Sequence, residues 1–163
     1  MENISYLCLS GSAIRELPFS IGNLLGLTIL SLDDCKRLYE LPSSILMLPK
    51  LNTFLATNCK MLAKIQSQGQ EQESMSSNVR NDTLCSVGRD CSCCMTDEFV
   101  ATLLPCLHLV TCLFLNHSSI TKLSACINGC HSLTKFYLDE CKGLREIRGL
   151  PPNIKYLAAR IAH

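Results

Sequence analysis

Charge is scarce in this 163-residue chain. Fifteen Lys and Arg stand against fourteen Asp and Glu, a formal net charge of +1. That near-neutrality gives no basic surface with which to hold nucleic acid or an anionic membrane, so neither is expected as a partner. Long apolar runs are missing as well, and none approaches the ~20 residues of a membrane helix. Met1-Glu2-Asn3-Ile4-Ser5 lacks the basic start and apolar core of a secretion signal. A soluble chain of the cytoplasm, with the nucleus as a second compartment, is the expectation. Catalytic signatures are absent too. There is no G-x-x-x-x-G-K-[ST] phosphate loop, no G-x-G-x-x-G fingerprint and no G-x-S-x-G elbow. His108, His117, His131 and His163 are joined to no nucleophile by any motif. No enzyme and no cofactor is expected.

Twelve cysteines fall short of the share, about 8–10%, found in short disulfide scaffolds. With no export signal they are expected to be reduced. Hydrophobic residues, at 47%, are ample for the core of a domain of this length.

That apolar material is periodic. Ile4, Leu7 and Leu9 define a frame L-x-x-L-x-L that returns 23 residues later at Leu27, Leu30 and Leu32, and 24 later again at Leu51, Phe54 and Ala56. Ile14, Leu17, Pro18, Ile21 and Leu24 correspond to Leu38, Leu41, Pro42, Ile45 and Leu48. The second half repeats the first at a constant offset of 106: Val110, Leu113 and Leu115 match Ile4, Leu7 and Leu9, while Leu133, Phe136 and Leu138 match Leu27, Leu30 and Leu32. A further unit begins with Ile154, Leu157 and Ala159. This is the pattern of leucine-rich repeats. It predicts an α/β solenoid, an open horseshoe with short parallel strands on its concave face and irregular or short helical returns. Side chains alternate along a strand, so the fourth and sixth frame positions point inward and those between them point to solvent. Leu-Pro at 17–18, 41–42 and 150–151 predicts irregular turns that interrupt helix. One coil cannot bury its own apolar side, and stability must come from its neighbours. Cys35, Cys59 and Cys141 fall in the turn after the strand, where a small side chain can pack inward and cap backbone groups.

The repeats divide into residues 1–65 and 106–163 of one solenoid, with an insertion over 66–105. Its first part, Gln66 to Asn78, is polar and reads as a surface loop. Asp97 to Leu104 reads as a short helix capped by Asp97. Cys85, Cys91, Cys93 and Cys94, with Cys106 and His108 downstream, include one C-x-x-C pair. No second pair follows at zinc spacing, so a variable cysteine-rich loop is the preferred reading and no metal is assigned.

On the concave face the outward positions are Tyr6, Cys8 and Ser10, then Ile29, Ser31 and Asp33, then Thr53, Leu55 and Thr57. Cys112, Phe114 and Asn116 follow, then Lys135, Tyr137, Asp139 and finally Tyr156. Solvated strands would show mostly Thr, Lys and Glu. Here Tyr6, Ile29, Leu55, Phe114, Tyr137 and Tyr156 form an apolar, aromatic stripe of the kind that marks interfaces, and Asp33, Asn116 and Asp139 line its border. Asp33, Asp34, Asp139 and Glu140 add acidic spots that favour a basic partner region. These nine stripe and border residues are the predicted partner-binding set.

Three stretches carry a closer resemblance: Ile14-Arg-Glu-Leu-Pro-Phe-Ser-Ile-Gly-Asn-Leu24, Cys35-Lys-Arg-Leu-Tyr-Glu-Leu-Pro-Ser-Ser-Ile45, and the run from Tyr137 through Cys141, Leu150 and Pro151 to Leu157. They resemble the leucine-rich repeats of plant disease resistance proteins of the class with a Toll/interleukin-receptor domain and a nucleotide-binding domain. The resemblance implies an intracellular immune receptor whose repeats sense a pathogen effector, or an altered host protein, and hold the nucleotide switch inactive. The signalling and nucleotide-binding domains are missing from this sequence, Ser124 stands where the frame expects Pro, and the last unit is cut off. A fragment or truncated member is therefore expected, one that neither binds ATP nor signals by itself. The alternatives are a repeat-only adaptor or decoy that regulates such receptors, and a metal- or redox-responsive protein acting through Cys85 to Cys94.

Overall fold

The computed structural model describes residues 4–66, 97–123 and 129–160. Six strands lie side by side in one parallel sheet: β1 (Tyr6–Cys8), β2 (Ile29–Ser31), β4 (Thr53–Leu55), β6 (Cys112–Phe114), β8 (Lys135–Tyr137) and β10 (Tyr156–Ala158). The register follows the repeat. Leu7, Leu30, Phe54, Leu113, Phe136 and Leu157 are successive partners across the sheet. Leu30, Leu32, Leu113 and Leu115 belong to one continuous buried cluster, as the inward positions require. At the first coil Leu7, Leu9 and Ile14 are half-buried and Ile4 is 45% exposed, because among the described residues only the second coil packs on them.

Each strand runs into the same backbone turn. Gly11, Asp34, Asn58, His117 and Glu140 occupy equivalent places and all have φ between 57° and 72°. Glycine adopts this left-handed conformation without cost, and Asn and Asp tolerate it better than most residues. The turn aims successive N–H groups at the next coil. Gly11 N donates to Asp33 O, Asp34 N to Thr57 O, Asn58 N to Asn116 O, His117 N to Asp139 O and Glu140 N to Arg160 O. The cysteine after the turn points inward, as the sequence suggested. Cys35 Sγ donates to Leu9 O, Cys59 Sγ to Leu32 O and Cys141 Sγ to Leu115 O, at 3.1, 3.0 and 3.4 Å. Burial pushes the Cys59 thiol up to about 12 and raises that of Cys141, so these groups stay protonated donors.

Two features of the returns differ from expectation. Leu41 and Pro42 do not form an irregular turn but end β3 (Glu40–Pro42), which pairs with β5 (Lys64–Gln66) in a small second sheet on the flank. β7 (Lys122–Leu123) and β9 (Glu146–Ile147) form a third. Coil stacking brings these segments within hydrogen-bond reach, and Pro closes the strand where it need not donate. Leu17-Pro18 and Leu150-Pro151 lie in irregular backbone as expected, and Pro18 and Pro42 lead into short 3-10 turns over Phe19–Asn23 and Ser43–Met47. Gly22 is needed between these turns, since a Cβ there would lie 2.8 Å from Cβ of Ser44.

The helix expected near 97–104 spans Asp97–Cys106 (α1). Phe99, Val100, Leu103 and Leu104, on one helical face, enter the common core. The helix is thus the return limb of the third coil. Asp97 is the first residue of the helix itself, and its carboxylate serves the next coil. Its carboxylate accepts hydrogen bonds from Thr121 N at 2.6 Å, Lys122 N at 2.9 Å and Thr121 Oγ1. The reason lies in the flank ladder. Tyr39 N donates to Arg15 O, Ala63 N to Tyr39 O and Arg145 N to Thr121 O, each reaching one coil back. For Thr121 N that step would end at Ala63 O, across the insertion. The Asp97 carboxylate takes its place.

A candidate protein-binding face

The outward side chains of the six-stranded sheet fall into three rows. The first runs Tyr6, Ile29, Thr53, Cys112, Lys135, Tyr156, and the second Cys8, Ser31, Leu55, Phe114, Tyr137, Ala158. The third, just past the strand ends, runs Ser10, Asp33, Thr57, Asn116, Asp139, Arg160. All nine predicted partner-binding residues stand on these rows.

The aromatic part is a built surface. Phe114 and Tyr137 stack with ring centroids 4.2 Å apart and planes within 4°, and Tyr156 continues the series at 5.1 Å and 42°. Adjacent strands lie about 4.8 Å apart, so rings at the same register meet face to face. Leu55, Phe114 and Tyr137, side by side in the second row, are half-buried, as is Ile29 in the first, while Tyr6 and Tyr156 are 56% and 41% exposed. Leu55 sits beside Phe114 and extends the apolar patch toward β2.

The border residues have structural work. Asp33 Oδ1 accepts from Thr57 N, Asn116 Oδ1 from Asp139 N and Asp139 Oδ1 from Arg160 N, all at 2.7–2.8 Å. Each carries the backbone ladder one coil further and holds the strand ends in register. Asp34, an expected acidic spot, accepts from Asn58 Nδ2 at 2.6 Å.

At the β1–β2 end the face is polar and joined up. Cys8 Sγ lies 3.4 Å from Ser10 Oγ, Ser10 Oγ 2.7 Å from Ser31 Oγ, and Ser31 Oγ donates to Asp33 Oδ2 at 3.3 Å. Ser31, expected to face solvent, is buried within this chain. Hydrogen bonds from the Ser10 side chain and backbone lower the exposed Cys8 thiol to about 7. Arg160 was missed from the sequence. Its guanidinium reaches the Tyr156 hydroxyl at 3.3 Å and lies 4.0 Å from Asp139, closing the aromatic end. The available signal was its place one coil beyond Asp139. Cys85, Cys91, Cys93 and Cys94 lie outside the described residues, and His108 is exposed in the turn after α1.

The repeat, the parallel sheet and the inward cysteines define a leucine-rich-repeat solenoid. The chain matches, over residues 1–160, the family model of the leucine-rich repeats of disease resistance proteins like RPS4B. It belongs to that family. It is 28% identical to the disease resistance-like protein DSC1 of Arabidopsis thaliana over 97% of this chain, and 28% identical to the disease resistance protein RPS4B of the same plant, again over 97%. With the disease resistance protein RPP2A of Arabidopsis it shares 51% identity over 41 residues, a quarter of the chain. These alignments span 16%, 12% and 3% of those proteins, so the chain corresponds to a small part of each. Among the described residues no helix is long and apolar enough to cross a membrane.

Proposed function

We propose that this module acts in plant defence as a non-catalytic, protein-recognising segment, docking its partner on the concave face at Leu55, Phe114, Tyr137 and Tyr156. The carrying observation is the aromatic cluster on the parallel sheet, in which Phe114 stacks on Tyr137 and Tyr156 packs tilted against Tyr137. Aromatic groups already ordered before contact lose little conformational entropy on binding, and such anchors dominate interface energetics. The partner is a protein: a pathogen effector, a host protein, or another domain of the receptor of which the repeats form part. The cytoplasm, with the nucleus, is the proposed site of action.

The test is co-purification from leaf tissue, comparing the wild type with Phe114→Ala, Tyr137→Ala and the distant surface variant Leu25→Ala (Leu25 is 61% exposed). Proteins retained by the wild type and Leu25→Ala, but lost from both aromatic variants, support the reading. Identical protein profiles from all four would refute it. A repeat-only adaptor is separated from a receptor segment by asking whether the retained protein is itself a nucleotide-binding receptor domain.

A further inference from the structure

Turn length varies along the rim of the solenoid in a way that leaves notches. Two residues separate Cys35 from Leu38, Cys59 from Leu62 and Cys141 from Leu144. Only one separates Ser12 from Ile14 and Ser118 from Ile120. A coil one residue short leaves its place on the rim unfilled between longer neighbours. At the first coil the result is a cleft of about 230 Å³ beside Lys36 and Arg37. At the fourth coil, flanked by long turns on both sides, the cavity reaches about 480 Å³, within the usual range for small-ligand sites.

We propose that the fourth-coil notch binds a small phosphate-bearing anion. Lys60 lines it from the third coil and Lys142 from the fifth, so cationic groups stand on opposite walls. Both follow directly on cysteines whose thiols tie the turn to the preceding coil, which fixes the backbone that carries each lysine. His117 and Ser119 add an imidazole and a hydroxyl from further directions. A phosphate group presents oxygens all round and suits ammonium and hydroxyl donors arranged about it, whereas a carboxylate is matched best by the planar fork of an arginine. Among the described residues no arginine lines this notch. Glu140 is the acidic group among the described lining residues, and the Asp97 carboxylate beneath Thr121 is engaged by that residue's N–H and hydroxyl. The floor is rigid, because Thr121 is held by Asp97 through its N–H and hydroxyl. The site lies on the rim past the C-terminal ends of the concave strands, separate from the aromatic ladder.

The test uses the purified chain at low salt, titrated with inorganic pyrophosphate while backbone amide resonances are followed. Shifts should concentrate at Ser119, Thr121 and Gly143. Lys60→Gln and Lys142→Gln should each weaken binding about tenfold, the effect of losing one charged hydrogen bond. Lys155→Gln, which removes the same charge elsewhere, should change it by less than about twofold. Inserting one glycine between Ser119 and Ile120 gives this coil the longer turn and should abolish the response. All three lysines are exposed, so thermal midpoints should stay together and report intact folding. Shifts spread over the lysines of the whole surface, equal weakening by Lys155→Gln, or sulfate binding as tightly as pyrophosphate would each overturn the proposal.

Discussion

Removing the Asp97 carboxylate tests whether a side chain can stand in for the backbone carbonyl of the neighbouring coil. In the wild type one oxygen accepts two backbone N–H groups and the other accepts a hydroxyl, all from Thr121 and Lys122 of the next coil. Asp97→Ala leaves three donors without this acceptor. A fully buried donor left unpaired costs about 1–3 kcal/mol. These donors lie near the surface, where water partly replaces the carboxylate, so a total of about 1–2 kcal/mol is expected. At this chain length that lowers the thermal midpoint by roughly 2–8 °C. Asp97→Asn keeps an acceptor oxygen but loses the charge, and should fall between. The pH dependence sharpens the test. Burial works to raise the Asp97 carboxyl, but the hydrogen bonds from Lys122 and Thr121 outweigh it and hold it below its ordinary 3.8. A carboxyl with a depressed folded-state pKa contributes stability above its unfolded value and loses it as pH falls through the folded value. The gap between wild type and Asp97→Asn in urea unfolding should therefore be full at pH 6 and shrink steadily below 3.8. Amide exchange at Thr121 and Lys122 should accelerate in Asp97→Ala beyond that of other flank amides. An Asp97→Ala protein with the wild-type midpoint, or a gap that does not change with pH, would refute the reasoning.

Three further outcomes follow from the same geometry. Under limiting alkylation near pH 8, mass spectrometry should find Cys8, lowered to about 7 and exposed, modified well before Cys59, which is buried and pushed up to about 12. Glu140 holds a left-handed φ of 60° without glycine's freedom, so Glu140→Asn should raise the unfolding free energy from urea titration by about 0.5–1 kcal/mol. Leu115→Ala should cost about 2–5 kcal/mol as a fully buried core deletion. Phe114→Ala, losing a half-exposed ring stack, should cost about 0.5–1.5 kcal/mol, and equal losses in the two would contradict the division into core and face.

The inward frame was legible because two periods coincide on it. Alternation along the strand and recurrence every coil both select Leu30, Leu32, Leu113 and Leu115, so a slip of one residue would expose them all. The cysteine positions were legible for the same reason, recurring with the strand that precedes them. The flank sheets were not. β7 and β9 are two residues long, too short to show alternation, and they exist because stacked coils bring backbone groups together. Asp97 was recognised as a polar helix start, but which backbone it serves depends on the coil that follows. Ser31 was misplaced because a strand position says which face a side chain takes, not what its neighbours do there. Glu140 carries no residue-type signal for its turn, and only alignment with Gly11 and Asn58 reveals it.

The insertion raises the question of how a solenoid survives an interruption. Between β2 and β4 equivalent residues are 24 apart, and between β4 and β6 they are 59 apart, yet Phe54 and Leu113 still pair as direct neighbours. Loop-closure entropy rises only with the logarithm of length, so the longer connection costs about 0.8 kcal/mol more than the ordinary one. Against this, α1 restores Phe99, Val100, Leu103 and Leu104 to the core, each buried side chain contributing about 1.5–3 kcal/mol. The broken flank ladder is the remaining defect, and the Asp97 carboxylate repairs it. Because each coil touches only its neighbours, the interruption stays local to the third and fourth coils, and Leu55 and Phe114 meet across it on one continuous face.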